Sequence, residues 1–240
     1  MLTPPFSTPI AQQIWDKKYR FRTIEGEIID KTVEDTWLRI AKNLASVENP
    51  EIQETTTKFF YSHLEDWKFI PAGRIIAGAG TKRDVTLFNC FVMGAIPDSM
   101  EGIYQGLKEA ALTMKQGGGI GYDFSTLRPK NAPVKGVAAF SSGPLPFMDT
   151  WNTSCMAIES AGARRGAQMA TMRCDHPDIM SFITAKREPG RLTNFNLSVL
   201  ITDEFMDCLK NDKPWDLVFN GTVYETSNAS ELWNLILEST

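Results

Sequence analysis

The chain reads as an α/β protein, with an N-terminal helical region over residues 1–70 and alternating strands and helices from 71 to 240. Three observations predict this. Between residues 10 and 70, apolar side chains recur at spacings of three and four, the period of a helix with one buried face. After Pro71-Ala72-Gly73-Arg74, short apolar runs alternate with helical stretches to about residue 200, the texture of a layer or barrel of parallel strands. The 240 residues, 42% hydrophobic and 22% charged, suit one sizeable core with a smaller helical appendage.

Ile14, Trp15, Trp37, Ile40, Ala41, Leu44 and Val47 form the first apolar stripe. Thr32 or Asp35 can cap its second helix, and Asn49-Pro50 is predicted to stop it. A further helix from about Glu51 carries Phe59, Phe60, His63, Leu64 and Trp67 on one side. His63 reads as a packing or surface histidine. Beyond the break, Val85–Met93 is predicted as a buried strand, Met100–Lys115 as a helix and Gly117–Phe124 as a Gly-rich entry into an extended segment. Phe147–Ser160 and Pro177–Lys186 read as helices, and Gln168–Met172 and Phe195–Ile201 as strands. Ser230–Glu238 starts another apolar stripe and stops without a Gly or Pro terminator, as expected of a chain interrupted within a larger fold.

Several function classes are disfavoured at once. A net charge of −4 does not supply the clustered cations that nucleic acid requires. No apolar run approaches the ~18 residues of a membrane span. The Met1-Leu2-Thr3-Pro4-Pro5 start lacks signal-peptide character, so a cytoplasmic location is expected. The four cysteines, 90, 155, 174 and 208, form no C-x-x-C pair and are expected as free thiols, with no metal site.

Local motifs leave alternatives open. Gly119-x-Gly121-x-x-Phe124 fails both the dinucleotide and the P-loop patterns, and reads either as a close backbone approach to a ligand or as a helix C-cap and turn. Arg164 and Arg165, set between Gly162 and Gly166, suit a loop gripping phosphate or a base edge, or a solvated loop. Leu127-Arg128-Pro129-Lys130 is a second cationic turn with the same ambiguity. In Cys174-Asp175-His176-Pro177-Asp178, Pro177 reads as the first residue of a helix capped by His176 or Asp175, in preference to a metal or Cys–His site.

In order and wording, these segments resemble ribonucleotide reductases, specifically the adenosylcobalamin-dependent (class II) large chain. The resemblance is carried by Leu87-Phe88-Asn89-Cys90-Phe91-Val92 with Pro97-Asp98-Ser99, by the Gly117–Gly121 loop, by Ser142-Gly143-Pro144, by Asp175-His176-Pro177-Asp178-Ile179 and by Phe195-Asn196-Leu197-Ser198-Val199. It implies a ten-stranded α/β barrel of two half-barrels, of which residues 71–240 supply the first. It implies that Cys90 is the first cysteine of the redox pair that reduces the ribose 2′ carbon. Asn89, Ala72 and Gly73 would line the substrate, and Asp98, Ser99 and Arg128 would bind a deoxynucleoside triphosphate effector. Arg164 and Arg165 would relay effector identity to the substrate base.

The implied partners are a ribonucleotide substrate, adenosylcobalamin, a dithiol reductant such as thioredoxin, and the C-terminal half of the reductase. A homodimer is one candidate assembly. The sequence contains no Asn-x-Cys-x-Glu segment to carry a radical cysteine, so the chain by itself is expected to be inert. Two rival readings stay open: a fragment of a class I large chain, and a catalytically inert deoxynucleotide-binding module.

Overall fold

The computed structural model describes residues 6–134, 136, 138–158 and 166–240. The described residues fold as two compact units that divide between Asn89 and Cys90. The first is helical. α1 (Pro9–Ile14) starts at Thr8, whose side chain accepts a hydrogen bond from the Ala11 amide, and runs into a π-helical turn at Trp15–Tyr19. α2 (Val33–Ala45) is capped by both predicted residues in a reciprocal box. The Asp35 amide donates to Thr32 Oγ1 at 3.4 Å, and the Thr32 amide donates to Asp35 Oδ2 at 2.9 Å.

Pro50 does not stop α2, which already ends at Ala45; it opens α3 (Pro50–Leu64), where a missing N–H costs nothing. Val47 therefore falls outside the helix and is 86% exposed, although the sequence puts it in the stripe. Trp15, Trp37, Ile40, Ala41, Leu64 and Ile76 build the core of this unit, with Phe60 and Trp67 packed against it. Phe59 is left in solvent, and His63 is exposed with Nδ1 2.8 Å from the Phe59 carbonyl of its own helix. The Pro71–Arg74 break leads into a short helix, α4 (Gly73–Gly78).

The second unit runs β1 (Cys90–Val92), α5 (Met100–Lys115), β2 (Gly119–Asp123), a hairpin of β3 (Pro133–Val134) and β4 (Ala139–Phe140), α6 (Pro144–Ala157) and β5 (Gln168–Arg173). It continues through α7 (Ile179–Thr184), β6 (Phe195–Leu200) and α8 (Asp203–Lys210), a second hairpin of β7 (Pro214–Phe219) and β8 (Thr222–Asn228), and α9 (Ala229–Ser239). The main sheet has the order β1-β2-β5-β6, and all its pairs are parallel. The α/β reading with parallel strands is borne out, and among the described residues the sheet does not close into a barrel. Among those residues no helix is long and apolar enough to cross a membrane.

One face of the sheet is covered by helices. Ile120, Tyr122, Ala170, Met172 and Phe195 meet Met114, Met148, Trp151 and Phe182 there. Trp151 contacts Tyr122 and Phe124 edge-on at 6.1 and 5.8 Å, and the Tyr122 hydroxyl donates to the Gly106 carbonyl at 2.8 Å.

Two further expectations need correction. Val85–Met93 is not a buried strand: only Cys90–Val92 pair, at a sheet edge, and Val92 is 99% exposed on a face that no helix of its unit covers among the described residues. The segment after Cys174 is not capped by Asp175 or His176, since α7 starts two residues beyond Pro177 with Asp178 at the cap. The His176 ring there accepts from the Asp178 amide, which holds the turn apart from the helix.

Candidate functional site

Cys90 opens β1, in register with Gly119, while Val92 is in register with Gly121. Side chains alternate along a strand, so Cys90 and Val92 point to the uncovered face and Phe91 to the helical one. Phe91 explains the neighbouring loop: a Cβ on Gly118 would lie 2.7 Å from its ring. The pairing Gly121↔Met169↔Asn196 continues the uncovered face across β5 and β6, joined by Thr171↔Ser198 one step along. Gly119 and Gly121 leave the ground beside the Cys90 thiol without side chains. Gly117, at φ +90° just past the α5 C-cap Gln116, fits the C-cap and turn reading of the Gly-rich loop, while Gly119 and Gly121 leave open backbone beside Cys90.

All four cysteines are free. Burial pushes the Cys155 and Cys174 thiols up, which keeps them protonated and unreactive. Cys208 is half-buried, and Cys90 is exposed. Asn89, just ahead of β1, is exposed as well. Ala72 and Gly73 belong to the helical unit, where Ala72 is the N-cap residue of α4 and a Cβ on Gly73 would sit 3.2 Å from the Tyr19 hydroxyl. Arg164 and Arg165 lie outside the described residues.

Asp98, Ser99 and Arg128 are brought together. Arg128 Nε donates to Asp98 Oδ2 at 2.8 Å, its amide to Oδ1 at 3.2 Å, and its Nη2 to the Asp98 carbonyl at 3.0 Å. Ser99 Oγ accepts from the Gly102 amide at 3.0 Å and so caps α5. A Cβ on Gly102 would meet Pro97 at 2.5 Å, so glycine is what lets the Pro97–Ser99 turn fold onto the helix start. The Asp98 and Arg128 side chains are each 28% exposed. A pair that open contributes at most about 1 kcal/mol to stability.

Sequence reasoning missed how this turn is held from the other side. The Arg173 amide donates to Ser125 Oγ at 2.7 Å, the Lys130 amide donates to Asp178 Oδ2 at 2.8 Å, and His176 Nε2 lies 2.9 Å from the Leu127 carbonyl. These partners are 48 or 49 residues apart, beyond any local pattern. Burial pushes the His176 imidazole below its ordinary value of 6.5. Its stabilising contribution is thus complete above the unfolded pKa and is lost as pH falls toward the folded one. The urea midpoint of the wild type is expected to drop between about pH 7.5 and about pH 5.5, with a shallower drop in His176→Gln.

Among the described residues no group of His, Cys, Asp and Glu could hold a metal ion. His63 is bound to its own helix, and both ring nitrogens of His176 are engaged. An apolar cavity of about 450 Å³ in the helical unit, between Trp15, Tyr19, Trp67 and Ile76, is sized for a small ligand and is too small for a corrinoid. The described residues do not by themselves fit adenosylcobalamin.

Comparison with known proteins matches both units. Residues 5–84 match the family model described as "Ribonucleotide reductase, all-alpha domain", and residues 88–238 match "Ribonucleotide reductase, barrel domain". A vitamin B12-dependent ribonucleoside-diphosphate reductase of Thermoplasma acidophilum is 41% identical over 173 residues, 71% of this chain and 22% of the relative. One from Mycobacterium tuberculosis is 32% identical over 230 residues, 93% of this chain and 32% of the relative. The ribonucleoside-diphosphate reductase subunit alpha of Helicobacter pylori is 32% identical over 178 residues, 72% of this chain and 22% of the relative. The chain thus spans between about a fifth and a third of these relatives. With a helical unit and a parallel sheet that each match their own model, in the order those models name, this chain belongs to the ribonucleotide reductase family.

Proposed function

We propose that this chain serves the reduction of ribonucleoside diphosphates to deoxyribonucleotides, for DNA precursor synthesis, with Cys90 as the first thiol of the redox pair. The observation that carries this reading is the exposed Cys90 on a sheet face cleared by Gly119 and Gly121. The chemistry balances with two thiols. The ribose C2′–O bond breaks and a C2′–H bond forms, the hydroxyl leaves as water, and two thiols are oxidised to one disulfide. Cys90 is one of the two; the second belongs to the rest of the barrel, as does the radical cysteine.

Asn89, Ala72 and Gly73 line the substrate in this reading, and Arg164 and Arg165 form the specificity loop. The names of the first two relatives support adenosylcobalamin as the cofactor of the complete enzyme and a diphosphate as substrate. A thioredoxin-type dithiol returns the disulfide to thiols, and a cytoplasmic location suits four free cysteines. Reduction of CDP with adenosylcobalamin and dithiothreitol tests the reading, using this chain alone and mixed with a chain carrying the rest of the barrel. Activity in the mixture alone is the expected result. No activity in either tube, with the two chains shown to associate, overturns it.

Asp98, Ser99 and Arg128 form the effector site. Losing one charge-assisted grip on phosphate costs roughly 1.5–3 kcal/mol, so Arg128→Ala is expected to weaken deoxynucleoside triphosphate binding by about ten- to a hundredfold. Titration calorimetry against the wild type measures this, and unchanged affinity assigns the effector elsewhere.

A further inference from the structure

His176 is wholly buried, yet the redox chemistry makes no use of it. Its Nδ1 lies 3.0 Å from the Asp178 amide, which can only donate, so Nδ1 carries the lone pair. The proton then sits on Nε2, which donates to the Leu127 carbonyl at 2.9 Å. That carbonyl belongs to the same peptide unit as the Arg128 amide, the group that donates to Asp98 Oδ1. One peptide plane is thus held on its carbonyl side by His176 and on its amide side by Asp98. The Asp98 side is partly open to solvent, whereas the His176 side is wholly buried, with the Phe219 ring edge-on 5.8 Å away.

We propose that His176 is a positioning residue for the effector turn. By fixing the Leu127 carbonyl it keeps the Leu127–Arg128 peptide oriented when a nucleotide draws Asp98 or the Arg128 guanidinium away from their mutual pair. The inference rests on the reading of Asp98 and Arg128 as the effector site. Asp178 secures the far end of the same turn through the Lys130 amide, so the turn is clamped at both ends by the 176–178 segment. Burial keeps the imidazole neutral, which preserves the lone pair that Asp178 needs.

Two substitutions separate the two bonds of the ring. In His176→Gln the side-chain amide nitrogen reaches the place of Nε2 and keeps the donor to Leu127. In His176→Asn the carbonyl oxygen takes the place of Nδ1 and keeps only the acceptor for Asp178. Binding of dATP, dGTP, dCTP and dTTP is measured by calorimetry on the chain combined with the rest of the barrel, beside thermal melts of each variant. His176→Asn is expected to bind the preferred nucleotide about tenfold more weakly or worse, and His176→Gln within about threefold of wild type, with both melting below it.

Equal binding by both variants and the wild type overturns the positioning role alone. Equal weakening that tracks the loss in melting temperature reduces His176 to a structural residue and overturns it as well. No nucleotide bound by the wild type overturns the effector reading itself. A measurement without substitution guards against variants that fail to fold. The chain has two histidines, so the ¹⁵N resonances of His176 are readily assigned. The Nε2 resonance is expected to keep its hydrogen-bonded position through the nucleotide titration, and its move to a free-imidazole position at saturation overturns the proposal.

Discussion

Cys90→Ser in the assembled reductase is expected to lower deoxyribonucleotide formation with a thioredoxin-type reductant by at least about a thousandfold, about 4 kcal/mol of barrier. A serine hydroxyl cannot be oxidised to a disulfide, so the two electrons needed at C2′ have no second source. The fold should not change, because Cys90 is exposed on an edge strand of three residues. Surface substitutions of this kind stay within about 0.5 kcal/mol of the parent, so the melting curve is the control. Cys155→Ser and Cys174→Ser form the contrast. Both thiols are buried in the core, and their loss should appear as stability and leave the redox step intact. Full turnover by Cys90→Ser would remove this residue from the redox pair.

Asp30→Ala should unfold the helical unit at much lower urea. Asp30 and Arg39 form a buried ion pair, with Arg39 Nη2 2.9 Å from Asp30 Oδ2 and side chains only 3% and 9% exposed. Asp30 also accepts from Thr36 Oγ1 at 2.7 Å and from the Phe21 amide at 3.2 Å, and Thr36 in turn accepts from the Trp15 indole at 3.1 Å. Removing the carboxylate strands a buried guanidinium, which costs about 3–5 kcal/mol. Substituting both partners together, Asp30→Leu with Arg39→Met, should recover most of that loss, since no charge is then left alone. Arg39 also donates to the carbonyls of Ile76 and Ala79 at the end of α4. The α4 start, Ala72 and Gly73, is where the substrate reading needs a fixed backbone. Urea curves followed by the fluorescence of Trp15, Trp37 and Trp67 would test this; a single-mutant loss below about 1 kcal/mol contradicts it.

The elements that local chemistry dictates were legible. The Met100–Lys115 run makes α5 as expected, and Thr32 with Asp35 caps α2. The strands at Gln168 and Phe195 were readable from β-rich apolar runs, and their parallel pairing from the helices between them. The α8 helix and the β7–β8 hairpin were not anticipated, although Thr202 caps α8 and its apolar side centres on buried Phe205; only β8 is largely solvated and carries little signal. Val92 was misread as buried because an apolar residue on an uncovered sheet face looks in sequence like one in a core.

The sequence by itself determined the helical-then-α/β order, the family resemblance and the short list of candidate residues, since each depends on neighbours within a few positions. Only the tertiary structure decided which cysteine is exposed, because burial is a sum over distant contacts. It also decided that Arg128 faces Asp98 across 30 residues, and that His176 holds the peptide between Leu127 and Arg128 from 49 residues away. A hydrogen bond of that span leaves no periodic trace; it exists only once the sheet has brought its strand ends together.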